Sequence, residues 1–181
     1  NASVLPTKYL VSLIQNLSEN KALFIEDEPL AFFAKEDQEI YFKTFDIHQY
    51  TSDDILRIEN TWDIFKLNGE AIKRDFKLLT TDRESQLVPE MTIAFNKDQI
   101  FIEEGAVLPL CSLNANDGPI YIGKDSEIME GAMIRGPFAL CENATIKMGA
   151  KIYGATTIGP HSKIGGEVNN CVIFGYSNKG H

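Results

Sequence analysis

The C-terminal part of the chain repeats an aliphatic residue at every sixth position. The repeat runs through Ile122, Ile128, Ile134, Leu140, Ile146, Ile152, Ile158 and Ile164. The residues four positions later are mostly small, namely Ser126, Ala132, Phe138, Ala144, Ala150, Thr156, Ser162 and Val168. A helix repeats at intervals of three and four residues and a half-buried strand at intervals of two, so a period of six fits a short strand followed by a turn.

Three such units form one triangular coil, and stacked coils form a parallel solenoid around a column of aliphatic side chains. The corners need residues that tolerate positive φ. Ten of the thirteen glycines follow Ile120, together with Asn143, Asn169 and Asn170. The pattern resembles the hexapeptide-repeat left-handed β-helix of acyltransferases. The left hand is implied by that resemblance, because parallel crossovers are otherwise right-handed.

The residues before the repeat combine helical and strand patterns. Residues 6–17 predict an amphipathic helix with Leu10, Leu13, Ile14 and Leu17 on one face. Compact β-rich runs predict strands near Ala22, Leu30 and Glu39.

Ser52 is the predicted N-cap of a second helical region, which forms one long helix or two shorter ones. Its apolar positions are Ile55, Ile58, Trp62, Phe65, Ile72 and Phe76. Two further strands are predicted within residues 91–95 and 99–103, followed by a turn at residues 116–119. We therefore expect an α+β region over residues 1–117, followed by an all-β left-handed parallel β-helix over residues 118–181.

Length, composition and charge limit the class of protein. The 181 residues are 44% hydrophobic, with no run of eighteen apolar residues and no charged-then-apolar leader, so a cytoplasmic location is the default expectation. The net charge of −9 argues against nucleic acid and anionic membranes as partners. The residues from Ile120 onward carry +1, which leaves −10 for the preceding part. An anionic ligand would meet the least repulsion at the coils.

The three cysteines give little support to a disulfide or metal framework. Cys111, Cys141 and Cys171 are odd in number and thirty residues apart, which matches neither a zinc ribbon nor a redox pair. We expect buried, reduced thiols and no metal site.

Residues 62–68, WDIFKLN, resemble the segment that leads sugar nucleotidyltransferase domains into their β-helix. Those enzymes open with a glycine-rich loop that holds nucleotide phosphates, and nothing in this sequence matches it. The chain also begins with Asn1 instead of Met. We expect a fragment of a longer protein: the remnant of a nucleotidyltransferase-like domain with a helical linker, then a truncated acyltransferase-like β-helix that is inactive by itself. Mg²⁺ would serve the nucleotidyltransferase domain absent from this chain.

The segment that ends in Lys179, Gly180 and His181 resembles the bifunctional N-acetylglucosamine-1-phosphate uridyltransferase/glucosamine-1-phosphate acetyltransferase enzymes. In that family a Lys-x-Gly-His run supplies the catalytic histidine, so the resemblance implies that His181 is the general base. An amine must lose a proton as it attacks the thioester of acetyl-CoA, the co-substrate, and imidazole has a suitable pKa. Backbone N–H groups at a coil corner could stabilise the oxyanion. Without the resemblance, His181 would be a surface residue.

The same resemblance implies four substrate-binding residues, Arg135, Asn169, Asn170 and Lys179. Family members carry a lysine-rich corner before the histidine, where this chain has Asn169 and Asn170, and amides give up the charge that holds a phosphate. Arg135, the only arginine in the coils, resembles the family's phosphate contact but is also readable as a solvated corner charge.

The remaining histidines and lysines have weaker claims to function. His161 lies at a turn position, and His48 has no obvious partner, so both are expected at the surface. We interpret Lys147, Lys151 and Lys163 first as solvent-exposed charges and second as contacts for the phosphates of coenzyme A.

Three hypotheses follow. In the first, the parent protein is a sugar-phosphate nucleotidyltransferase whose β-helix transfers acetyl from acetyl-CoA to an amino-sugar phosphate, with a homotrimer providing the acyl-CoA cleft. In the second, it is only a nucleotidyltransferase, such as a glucose-1-phosphate thymidylyltransferase, and the β-helix serves regulation or assembly. In the third, the β-helix is a non-enzymatic trimerisation module.

Overall fold

The computed structural model describes residues 3–34, 45–51 and 55–181. It divides into two compact units, Asn1–Thr61 and Trp62–His181. The sequence places its division later, between residues 117 and 118, because the six-residue repeat is regular only from that point.

The described residues of the first unit form one helix and one small sheet. Helix α1 (Lys8–Gln15) begins where the Thr7 side chain accepts a hydrogen bond from the Leu10 N–H at 3.1 Å. The sheet has the order β2-β1-β3 and is built from β1 (Lys21–Ile25), β2 (Glu28–Phe32) and β3 (Asp46–Gln49). Strand β2 is antiparallel to β1, and β3 is parallel to it. The buried core of this unit includes Leu10, Leu23, Leu30 and Tyr50.

The predicted helix at residues 6–17 and the strands near Ala22 and Leu30 are confirmed. The strand near Glu39 and the Ser52 cap lie outside the described residues. The helix predicted through Ile55 and Ile58 is wrong, because this segment pairs with the N-terminal residues instead. The Leu5 N–H donates to the Leu56 carbonyl at 2.9 Å, and the Ile58 N–H donates to the Ser3 carbonyl at 2.7 Å. This long-range pairing overrides the local helical pattern.

The second unit opens with helices α2 (Asp63–Lys66) and α3 (Asn68–Thr80). Helix α3 is fixed at its first residue, because the buried Asn68 amide donates to the Ala155 carbonyl at 2.9 Å and accepts from the Thr157 hydroxyl at 2.8 Å. A Cβ placed on Gly69 would lie 3.1 Å from the Ala155 Cβ, so the helix and the sheet are in close contact there. Small residues on both sides permit this approach.

The rest of the second unit is a parallel β-solenoid of five coils and three sheets. One sheet stacks β4 (Ile93–Phe95), β6 (Ser112–Asn114), β9 (Met133–Arg135), β12 (Lys151–Tyr153) and β15 (Glu167–Asn169). The second stacks β5 (Ile100–Ile102), β7 (Ile120–Ile122), β10 (Phe138–Leu140), β13 (Thr156–Ile158) and β16 (Val172–Ile173). The third stacks β8 (Glu127–Ile128), β11 (Thr145–Ile146), β14 (Lys163–Ile164) and β17 (Asn178–Lys179). A 3₁₀ turn, Lys97–Gln99, connects β4 to β5.

The aliphatic ladder forms the interior, as the six-residue period predicts. Every ladder residue from Ile122 to Ile164 is at most 2% exposed, and all eight residues four positions later are buried as well. Ladder residues stack on others eighteen positions away: Ile128, Ile146 and Ile164 form one such column through paired strands. The hexapeptide-repeat β-helix prediction is confirmed.

The solenoid is longer than the sequence pattern predicts. The two strands expected before the repeat already belong to the first coil. Strand β4 pairs with β6, and β5 pairs with β7, so β4 and β5 lie in different sheets. The buried residues Ile102 of β5 and Ile122 of β7 are directly paired but twenty positions apart, which is not a multiple of six.

One line of corners carries residues with positive φ. Asp125, Asn143, His161 and Tyr176 occupy equivalent, stacked turns with φ between 53° and 60°. The corner prediction is confirmed for Asn143 and Asn170, whose φ values are 55° and 51°, whereas Asn169 lies in strand β15. Gly123 has a different reason to be glycine, because a Cβ there would lie 2.7 Å from the Leu140 carbonyl oxygen of the next coil.

Candidate functional site

The outer face of the sheet β4-β6-β9-β12-β15 carries charged, polar, aromatic and apolar side chains. Alternate residues of each strand point outward, so the pairing of the strands arranges the outward residues in columns. One column runs through Phe95, Asn114, Arg135, Tyr153 and Asn169. A parallel column runs through Ile93, Ser112, Met133, Lys151 and Glu167.

A groove of about 650 Å³ lies on this face. We call it the sheet-face groove, and its lining includes Phe95, Asn114, Met133, Arg135, Lys151 and Tyr153. Arg135 and Lys151 bring two cations onto adjacent strands, and Phe95 and Tyr153 bring two aromatic rings. Aromatic surface beside convergent polar groups is typical of small-molecule sites.

Arg135 is available for an anion. Its Nη1 lies 3.3 Å from the Asp117 carboxylate, and both side chains are more than half exposed, so solvent weakens this ion pair. A guanidinium has five N–H donors, and one weak contact leaves most of them for a ligand. The structure thus places Arg135 on strand β9, in the lining of the sheet-face groove, and not at a corner.

Asn169 shares the column of Arg135, with Tyr153 between them. Two strand spacings separate Arg135 from Asn169, which corresponds to about 10 Å. Asn170 lies at the corner after β15, where its N–H donates to the Tyr153 carbonyl at 3.2 Å. The structure therefore brings Arg135 and Asn169 onto one face but sets Asn170 at its edge.

Lys179 occupies an interior position of the solenoid. It pairs in register with Ile164, the last aliphatic residue of its column. Its half-buried ammonium donates to the Gly165 carbonyl at 2.9 Å, so the charge turns towards the backbone of the preceding corner.

His181 is exposed and lies two residues after Lys179 in the chain. A Cβ placed on Gly166 would lie 3.0 Å from the His181 Cα, so the histidine backbone packs against the corner that begins β15. Strand β15 then leads from that corner to Asn169, a distance of about 10 Å for three extended residues. His181 and Lys179 thus lie at one end of β15, and Asn169 and Asn170 at the other.

Two residues of this face were missed from the sequence. The Tyr153 hydroxyl donates to the Glu167 carboxylate on the next strand, and this hydrogen bond raises the pKa of Tyr153. Glu167 is also directly opposite Lys151 in the register. The sequence signal that could have identified Tyr153 and Glu167 is the alternation of side chains along a strand, because residues that flank a buried ladder position must point outward.

A second polar cluster joins the end of α3 to the sheet β5-β7-β10-β13-β16. Arg83 contacts the Glu103 carboxylate at 2.6 Å, and the Tyr121 hydroxyl donates to the same carboxylate at 2.5 Å. Burial opposes the charge of Glu103, but these hydrogen bonds outweigh it and lower the pKa of Glu103. Burial, with the bond to Glu103, raises the pKa of Tyr121 to about 12. Every polar group here has a partner within the cluster, which is typical of a structural role.

The other histidines lie at the surface, as expected, but both have neighbours. His161 stacks on Tyr176 with ring centroids 4.9 Å apart. The prediction that His48 has no partner is wrong, because its Nε2 lies 3.4 Å from the Asp46 carboxylate. These two residues are two positions apart on β3 and so share a face.

The three cysteines are free thiols. Cys111 is buried as expected, whereas Cys141 and Cys171 are only partly buried. Burial raises the pKa of both Cys111 and Cys141. Within residues 3–34, 45–51 and 55–181, no three His, Cys, Asp or Glu side chains come together as a metal site. None of the helices in these ranges is long and apolar enough to cross a membrane.

The fold and its outer face define a β-solenoid of the hexapeptide-repeat kind with a groove on one sheet face. Comparison with known families adds to this: residues 1–84 match the model of a family described as sugar nucleotidyl transferase. No curated protein matches the chain. The family match and the β-solenoid together indicate a sugar-related transferase.

Proposed function

We propose that the protein is a sugar-phosphate transferase whose β-solenoid moves an acetyl group from acetyl-CoA to the amine of an amino-sugar phosphate. The observation that carries the proposal is the last coil, where His181 packs beside the corner that begins β15 and Asn169 ends the same strand. An acid–base group and a polar sugar contact therefore flank one strand. The match of residues 1–84 to a sugar nucleotidyl transferase family supports a sugar-derived substrate.

In the proposed reaction, His181 takes a proton from the amine as its nitrogen attacks the thioester carbon. The tetrahedral intermediate then collapses, the C–S bond breaks, and the thiolate of coenzyme A receives the proton from His181. The products are an amide and a free thiol. General-base catalysis of this kind contributes about 10²- to 10⁴-fold.

The remaining residues bind and position in this proposal. Arg135 and Lys151 of the sheet-face groove supply positive charge for phosphate groups, and Asn169 and Asn170 bind sugar hydroxyls. Lys179, whose ammonium holds the Gly165 carbonyl, keeps the corner beside His181 in place and reaches substrate only if that bond opens. No step uses a metal ion.

Homotrimer formation belongs to the same proposal. The sheet-face groove and its surroundings include exposed apolar side chains: Phe95 at 51% and Met133 at 48% exposure line it, and Ile93 at 62% lies on the same face. Apolar surface of this kind favours packing against another copy of the chain. An acyl-CoA cleft between neighbouring copies would then include the groove.

The same apolar face favours an alternative. If the solenoid served only to assemble a nucleotidyltransferase, the exposed apolar residues would be needed but the acid–base group would not. The amides at Asn169 and Asn170, where the resembled family carries lysines, also favour this alternative, because an amide lacks the charge that holds a phosphate.

The test measures thiol release from acetyl-CoA by the full-length parent protein, with glucosamine 1-phosphate as acceptor. We expect His181→Ala to lower kcat by about 10²-fold or more, because the general base is lost. His161→Ala, another exposed histidine of the solenoid, is the matched control and should leave kcat within about twofold. Arg135→Gln should raise the KM for glucosamine 1-phosphate while changing kcat little, because its contact is with the phosphate.

Each outcome separates the hypotheses. Equal rates for the wild type and His181→Ala would remove His181 from the mechanism. A trimeric wild-type protein that neither binds acetyl-CoA nor releases thiol would favour the assembly alternative. Pyrophosphate release from a nucleoside triphosphate and a sugar 1-phosphate would support nucleotidyl transfer.

A further inference from the structure

A separate cleft lies between helix α3 and the corner that joins the first two strands of the second coil. It has a volume of about 560 Å³, and we call it the α3 cleft. Its lining includes Lys73, Phe76, Lys77, Asn96, Asn116 and Asp117. None of these residues belongs to the proposed acetyl-transfer site. The cleft lies at coils one and two, whereas His181 follows coil five, and three strand spacings amount to about 14 Å.

The helical wall of the α3 cleft is positively charged. Lys73 and Lys77 are one turn apart on α3, so they project from the same face, and both are exposed. The helix has two acidic residues: Glu70 accepts a hydrogen bond from Arg74 at 2.8 Å, and Asp75 lies two positions from each lysine, so it projects from a different face. Among the residues that the structure describes, neither lysine ammonium forms an ion pair. In an acidic chain, two neighbouring cations without ion-pair partners are available for an anion.

The coil wall presents neutral and acidic hydrogen-bonding groups. The Asn96 amide nitrogen donates to the Ala115 carbonyl at 3.1 Å, which orients this side chain and leaves its oxygen as an acceptor. The exposed Asn116 amide has both a donor and an acceptor. Two carboxylates, Asp98 and Asp117, complete this wall. Carboxylates repel a phosphate but accept hydrogen bonds from hydroxyl groups, so the two walls differ in what they bind.

The loop that carries Asn116 and Asp117 is fixed before any ligand binds. The Asn116 N–H donates to the Asn114 side-chain oxygen at 3.0 Å. Gly118 packs against Pro137 so closely that a Cβ would lie 2.5 Å from the proline ring. A wall already held in place loses little conformational freedom on binding, which favours affinity.

We propose that the α3 cleft binds a sugar phosphate. The phosphate lies between the ammonium groups of Lys73 and Lys77, and the sugar hydroxyls face the amides and carboxylates of the coil wall. The half-buried ring of Phe76 packs against the apolar face of the sugar. The opposite charges of the two walls fix the direction in which the ligand lies. Neither inorganic phosphate nor an uncharged sugar satisfies both walls.

The experiment uses glucose 1-phosphate, which has no amine and so cannot act as acceptor in the proposed acetyl transfer. Binding is followed by NMR in the absence of acetyl-CoA, through the side-chain amide signals of Asn96 and Asn116. We expect saturable shifts of these signals with glucose 1-phosphate, and at least tenfold weaker binding of both inorganic phosphate and glucose. In the Lys73→Gln/Lys77→Gln double variant, the affinity for glucose 1-phosphate should fall by about tenfold or more, because two charge-assisted hydrogen bonds are lost.

The matched control is Lys124→Gln/Lys163→Gln, which removes two exposed lysines of the solenoid that do not line the cleft. This variant should bind glucose 1-phosphate as the wild type does. The proposal is overturned if the Asn96 and Asn116 signals do not respond, if the two double variants bind equally well, or if inorganic phosphate binds as tightly as glucose 1-phosphate. Because the readout is binding at named amides, its result is independent of whether His181 catalyses acetyl transfer.

Discussion

Truncation of one ladder residue should destabilise the solenoid strongly. Ile146 is fully buried, and paired strands place Ile128 on one side of it and Ile164 on the other. Ile146→Ala removes three carbon atoms, which at about 0.8 kcal/mol each corresponds to about 2.4 kcal/mol of lost burial. The cavity left between two neighbouring coils adds to this, because the flanking strands are held by the backbone ladder. We expect a loss of about 3–4 kcal/mol in the free energy of unfolding.

The assay is urea unfolding followed by far-UV circular dichroism, with two comparisons. Ile146→Val should cost about 0.5–1.5 kcal/mol, which gives a graded series at one position. Met148→Ala alters the same coil at a side chain that is 71% exposed, so its effect should stay within about 0.5 kcal/mol. If Ile146→Ala were no more destabilising than Met148→Ala, the stacked aliphatic column would not be the core of this fold.

Two further predictions concern the groups that attach α3 and the segment after it to the solenoid. Asn68→Ala should lower the free energy of unfolding by about 1–3 kcal/mol, because the Ala155 carbonyl and the Thr157 hydroxyl lose their partner. The exposed Asn116→Ala serves as control in the same urea assay, and equal effects would contradict the anchoring role of Asn68. For Tyr121, whose pKa is raised to about 12, the folded state keeps the phenol protonated, so the stability it contributes is complete below about pH 10 and is lost as the pH rises towards 12. Absorbance titration should show a late tyrosine step that disappears in Tyr121→Phe, and an unchanged titration curve would refute the assignment.

The interior of the solenoid could be predicted from the sequence because a strict six-residue period assigns the aliphatic residues to one recurring position, which faces the interior of each coil. Each ladder residue is six positions from the next, and the backbone pairing then puts every third one into the same column. The first coil escaped this reasoning, because Ile102 pairs with Ile122 at a separation of twenty residues. Corners that are longer than those of the regular coils change the residue spacing between paired strands, but the strands still belong to the same three sheets. Only the pairing itself shows that residues 93–102 belong to the solenoid.

The candidate sites were predictable only in part. Outward positions are fixed by the ladder, so the shared face of Arg135 and Asn169 follows from spacing once the coil length is known. The α3 cleft does not follow, because its two walls are remote in sequence and meet only when Asn68 binds Ala155, eighty-seven residues away. Local periodicity predicts α3 but contains no information on which sheet it covers.

The outer faces of the solenoid explain why binding groups are concentrated where they are. The face that α3 covers has small outward residues, Ala139 and Thr157, because the helix needs space to approach. The face β4-β6-β9-β12-β15 carries Met133, Arg135, Lys151 and Tyr153, all exposed. The interior of both sheets is equally aliphatic, so stability demands nothing of these outward residues. The exposed apolar and aromatic side chains of this face favour a ligand or a partner, which is one reason that we propose acetyl transfer there.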